Sequence, residues 1–124
     1  MATSGQNREE ARRLMAGVDE EVAARLLRGA LDLHVHSGPS TMPRQLDHMQ
    51  AAEEAIAAGM RGVLFKDHHY SAAPFIPLMD RLIATPDFKM YSGLVLNNST
   101  GGFNPYVVDA QLNMGAKLIW MPTA

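Results

Sequence analysis

Cysteine is missing from this 124-residue chain. Its absence excludes disulfides, thiol catalysis and cysteine-type zinc sites, and it suits a reducing compartment. An excess of either charge is missing too: 11 Lys and Arg stand against 13 Asp and Glu, a formal net charge of −2. Nucleic-acid binders carry a basic excess or stripe, so nucleic acid is not an expected partner. No apolar run approaches the roughly 20 residues that span a bilayer, and the N-terminal stretch MATSGQNREEARRLM holds no apolar signal core. The expectation is therefore no membrane partner and a cytoplasmic location. What is present is ordinary for a globular protein. Apolar residues make up 47% and charged residues 19%, which excludes wholesale disorder. A chain of this length makes about one domain and buries roughly two-thirds of its unfolded surface.

Residues 1–6 are small and polar and are expected to be disordered; residues 7–124 are read as one partial barrel domain. Asn7 followed by Glu10 resembles a capping box, and Leu14, Val18, Val22 and Leu26 recur at helical spacing. Gly17 and Asp19 can divide this N-terminal helix, Asp19 serving as a second N-cap. Four strand-length apolar runs follow, at residues 30–36, 61–66, 90–96 and 117–121. Helical patterns fill the gaps. One runs from an Asp47 cap through Ala58 to a Gly59 stop. Another starts at Pro77 and reaches about Ala84. The last is capped by Asn104, with Pro105 in the first turn, and ends at Gly115. Met49, Ala52 and Ile56 mark the buried face of the first of these, and Met49 and Met60 are read as core filler.

Strand starts lie roughly 30 residues apart, the size of one βαβ unit. Alternating strand and helix implies a parallel sheet with right-handed crossovers. Eight such units need about 250 residues. The expected fold is therefore α/β: the first half of a (β/α)₈ TIM-barrel-type fold, with four parallel strands, crossover helices and an N-terminal helix. A small open sheet is the alternative.

The chemistry-bearing residues sit at strand ends. In Asp32-Leu33-His34-Val35-His36, alternate side chains share a face, so His34 and His36 point the same way, about 7 Å apart along the strand. Two imidazoles so placed can converge on one divalent ion. Asp32 has the same parity and can ligate or hold a histidine tautomer. The second cluster is Lys66-Asp67-His68-His69, at the end of the second strand. Adjacent parallel strands open both clusters into one crevice, at the C-terminal mouth where barrels place active sites. Lys66 shares parity with His68, and Asp67 with His69; His68 is favoured as the site-facing ring, with His69 next. Lys66 can bind an anionic substrate group or, carbamylated, bridge two metals. A solvated lysine is the plain alternative. Asn97 and Asn98, before the Gly101-Gly102 pair, are candidates for substrate contact, and Arg44 can grip a carboxylate through two hydrogen bonds. His48, beside Asp47 and Gln50, is expected on the polar face of its helix. Thr123 is placed to reach the mouth, while Trp120 is expected to pack.

DLHVHSGPS resembles the first metal-binding motif of the amidohydrolase-like metal-dependent hydrolases and of the polymerase and histidinol phosphatase group. KDHH is similar to the second motif of the latter, with Lys66 where Thr is usual. The series DLHVHSGPS, FKDHH, LNNSTGGFNP and GAKLIWMPT also resembles a set of bacterial proteins placed with the metal-dependent hydrolases. The resemblance covers about residues 29 to 124, half of a normal family member. It implies a distorted TIM barrel, one to three divalent ions and hydrolysis by activated water. It matches His34 and His36 to the strand-one ligands and, more loosely, His68 to the second motif, while ligands from later strands have no counterpart here. The expected cofactor is a divalent metal, zinc first, with manganese or iron as alternatives. The expected activity is hydrolysis of a small-molecule amide, cyclic amide or phosphoester, with Asp32, Lys66 and Asp67 as catalytic candidates. A catalytically incomplete, self-associating metal-binding half-barrel, a homo-oligomer, is the competing expectation. A plain α/β interaction module without metal is the third.

Overall fold

The computed structural model describes residues 9, 10, 12–83 and 85–123. The expected disordered stretch 1–6, the Asn7 cap and Ala84 lie outside these residues. Among the described residues no helix is long and apolar enough to cross a membrane.

The N-terminal helix is divided where Gly17 and Asp19 stand. Gly17 takes φ 98°, and the Asp19 carboxylate then accepts from the main-chain N–H groups of Glu21 and Val22 at 3.0 and 3.1 Å, starting α1 (Glu20–Leu27). Its apolar stripe stays outside the core: Val22 is 39% and Leu26 70% exposed. Strand β1 (Leu31–Val35) leads to α2 (His48–Ala57). Asp47 and Gln50 form a full capping box there. Next come β2 (Gly62–Phe65), a 3₁₀ turn over Ala73–Phe75 and α3 (Ile76–Ile83). That helix begins one residue before Pro77, because the preceding 3₁₀ turn runs straight into it. Strand β3 (Lys89–Val95) is followed by a second 3₁₀ turn (Asn98–Thr100), then α4 (Pro105–Asn113), capped by Asn104 as expected, and β4 (Leu118–Trp120).

The four strands lie in the order β1-β2-β3-β4, all neighbours parallel. The sheet curls into half of a TIM-like barrel, with helices between the strands. Alternation divides each strand between two faces. Val63, Phe65 and Met90 point to the convex side. There they pack with Ala52 and Ala55 of α2, Met79 of α3 and Phe88, and fully burying a side chain such as Phe65 stabilises by about 1.5–3 kcal/mol. Met49 and Met60 fill the edge of this core, as expected. The other parity, which includes Leu64, Lys66 and Gly93, faces the concave side. Gly93 lets two strands and a ring come together: a Cβ there would lie 2.5 Å from Cζ3 of Trp120. Trp120 therefore leans across β3 toward the ends of β1 and β2.

Candidate metal centre

Strand β1 delivers His34 and His36 to the concave face at its C-terminal end. Their Nε2 atoms are 3.2 Å apart. Two nitrogens bound at about 2.0–2.1 Å to one tetrahedral ion stand roughly 3.3 Å apart, so the pair fits a shared divalent ion in donor type and in spacing. Across the β1–β2 boundary, the His68 ring stacks on His36 with centroids 5.0 Å apart and planes 12° from parallel. Stacked rings do not aim their nitrogens at one point, and His68 must turn to join the pair. Among the described residues no group of three or more His, Asp or Glu side chains is arranged around one ion. His69 lies farther along the chain, its ring centroid 6.3 Å from that of His68.

Thr123, just past β4, ties the second cluster together. Its Oγ1 accepts from Lys66 Nζ at 3.0 Å and lies 3.2 Å from His68 Nδ1. Asn97 secures this from below: its Nδ2 donates to the His68 carbonyl at 3.0 Å and its Oδ1 accepts from the Thr123 N–H at 2.8 Å. Expected as a substrate contact, Asn97 is 3% exposed and engages main chain on both sides, so it joins strand ends instead of presenting its amide to the crevice. Asn98 is exposed on the following turn, and Gly101 and Gly102 both take positive φ. Lys66 is 2% exposed, with Nζ 5.5 Å from the Trp120 ring centroid. That excludes the plain reading of a solvated lysine. Trp120 also borders His34, at 5.8 Å between centroids.

The sequence matches a family of unknown function, DUF6282, over residues 29–124. The chain belongs to this family. No curated protein and no solved structure matches it. The matched DUF6282 segment takes in all four strands and every residue of the imidazole cluster.

Electrostatics in the DUF6282 site favour the neutral form of His36 and His68, the ligating form of an imidazole. Burial first, and then the Arg44 guanidinium, lower the pKa of His36, against a main-chain hydrogen bond at Lys66. Burial and then Lys66 lower that of His68. Burial alone lowers that of Lys66. Arg44 Nη2 lies 3.5 Å from His36 Nδ1. The carboxylates do not turn toward the ring pair. Asp32 Oδ1 accepts from the N–H of His34 at 2.9 Å. Asp67 Oδ1 accepts from the N–H of His69 at 2.8 Å, while its buried Oδ2 has no hydrogen-bond partner.

His48 is not on a polar face. It is 4% exposed, and its two ring nitrogens are both taken. Tyr70 Oη donates to the Pro39 carbonyl at 2.5 Å, so it accepts from His48 Nε2–H at 2.8 Å; Nδ1 then accepts from Ser37 Oγ–H at 2.5 Å. This buried chain clamps the loop carrying His36 and Arg44 onto the β2 end. A signal existed: His48 shares a helical stripe with Ala52 and Ala55. Its partners, 11 and 22 residues away, leave no local trace. A concavity of about 810 Å³ at the opposite strand ends, lined by Leu31, Arg61, Phe88 and Lys89 among others, is at the barrel's bottom face, where side chains serve stability.

Proposed function

We propose that this chain carries the metal-binding half of a divalent-metal-dependent hydrolase acting on a small amide, cyclic amide or phosphoester. The observation that supports it most is the 3.2 Å approach of the His34 and His36 Nε2 atoms at the mouth of a parallel half-barrel. A bound metal of this kind supplies a water of lowered pKa and polarises the scissile group. Zinc suits the nitrogen donors first, with manganese or iron as alternatives.

The chain's own residues have these roles. His34 and His36 hold the ion. His68, its Nδ1 3.2 Å from Thr123 Oγ1, joins them through Nε2 by turning off His36. Asp67, with one free oxygen, is the group placed to take up a proton beside His68. Asp32 steadies the β1 end through the His34 main chain. The cysteine-free composition suits a cytoplasmic setting for this activity.

Protein purified without chelator or affinity tag and analysed by mass spectrometry for metals should hold about one equivalent of a divalent ion. The double substitution His34→Ala, His36→Ala should remove it. Metal-free wild-type protein after growth in supplemented medium, or unchanged content in the double variant, overturns the reading. A second reading, an incomplete metal-binding half-barrel, is favoured by the convergence of two nitrogens and not three. It predicts bound metal with no turnover of amide or phosphoester substrates.

A further inference from the structure

Two cations border the imidazole row, and among the described residues neither is paired with a carboxylate. Lys66 is 2% exposed; its ammonium has a neutral hydroxyl and an indole face as partners, Thr123 and Trp120. Arg44, at the other end, has a buried Nε with no hydrogen-bond partner. Its Nη2 meets only His36 Nδ1 at 3.5 Å and the Met42 sulfur at 3.8 Å. The row is continuous: Arg44 touches His36, His36 stacks on His68, and His68 shares the Thr123 hydroxyl with Lys66. Among the described residues neither Asp32 nor Asp67 reaches Lys66 or Arg44 in an ion pair. Each gives an oxygen to a main-chain N–H of its own strand end, Asp32 to His34 and Asp67 to His69.

A desolvated cation without a partner is costly. Neutral imidazoles bring no compensating charge, and a divalent ion on them would add two more positive charges. A bound anion would supply the charged contact that neither carboxylate makes. We propose that the concave face takes a small anionic substrate, whose carboxylate or phosphate oxygens lie between Lys66 Nζ and the Arg44 guanidinium, over the imidazole row. Charge-assisted hydrogen bonds from Arg and Lys are the usual means of holding such groups. That this anion belongs to the substrate rests on the hydrolase reading; the anion site itself stands on the two cations alone.

The test separates the two. Trp120 is the single tryptophan and sits beside both Lys66 and His34, so its fluorescence reports on the row. Chelator-treated full-length chain at pH 7 and low ionic strength is titrated with malonate, with inorganic phosphate and with neutral malonamide. A saturable change is expected with malonate, which marks a carboxylate substrate, or with phosphate, which marks a phosphoryl one, and none with malonamide. Lys66→Met and Arg44→Gln should each weaken binding about tenfold or more. Arg44 lies on a loop, so its variant keeps the test open should the buried Lys66 variant fail to fold. No saturable response in wild type, an equal response to malonamide, or unchanged affinity in a folded Arg44→Gln variant overturns the proposal. Because metal is absent throughout, loss of the metal reading does not alter the result.

Discussion

Protonating His48 would remove the acceptor that Ser37 uses. Its ring is buried, and burial lowers its pKa below the ordinary 6.5, outweighing the opposing pull of Asp67 and Asp47. In the unfolded chain His48 takes up its proton near 6.5, whereas the folded chain resists until a lower pH. Between those values the unfolded state binds more protons, so stability falls as pH falls. His36 and His68 are shifted in the same direction and add to the slope. Urea unfolding should therefore show a full midpoint above about pH 7 and a progressively lower one from pH 6.5 downward, with His48→Gln flattening part of the loss. A midpoint that rises on acidification would contradict the buried neutral ring. At this scale the sequence was legible where chemistry is local. The i, i+2 spacing placed His34 and His36 on one face, and shared parity placed Lys66 with His68. It was silent where partners are distant: the clamp of Ser37, His48 and Tyr70 and the bridging amide of Asn97 join segments that only the sheet brings together.

Elements were read more fully than side chains, because caps and apolar runs are short-range signals. Asp19, Asp47 and Asn104 each start the helix expected of them, and each strand lies inside or within a residue of its apolar run. Edges moved where a neighbouring element intervened: α3 starts at Ile76 because a 3₁₀ turn feeds it, and β4 spans three residues of the expected five. Gly93 shows what pattern alone does not supply. In the sequence it is a glycine inside a strand; in the sheet it is the gap that Trp120 fills. A methyl group there meets the Trp120 ring at 2.5 Å and the Leu118 carbonyl closer still. Gly93→Ala must push β4 away or turn the indole, a strain of about 1–3 kcal/mol. The expected outcome is a lower melting temperature with a shifted Trp120 emission. Gly38→Ala, whose new Cβ would meet nothing nearer than 3.7 Å, should leave both unchanged. Equal behaviour of the two variants would remove Trp120 from the β3–β4 gap.

For the whole molecule, strand-helix alternation implies a parallel sheet, and the sequential order of the four strands selects the half-barrel over the doubly wound orders that the same alternation allows. Curvature comes from the twist of parallel strands with helices on one side, which leaves β1 and β4 as the two open edges of the half-barrel. Strand β1 shows the consequence. Leu33 is 55% and Leu31 41% exposed there. Leu118 at the other edge is 38% exposed. Unpaired parallel edges with apolar side chains beside them favour association, and a β4 edge can pair in parallel with a β1 edge. The 124-residue chain on its own should therefore run above its 13.6 kDa monomer mass in light scattering at tens of micromolar. Leu33→Lys, which places a charge at one such edge, should shift it toward the monomer. A sharp monomer peak for the unaltered chain would mean that the exposed flank of β1 is tolerated in water, and the pairing of open edges would then lose its physical basis.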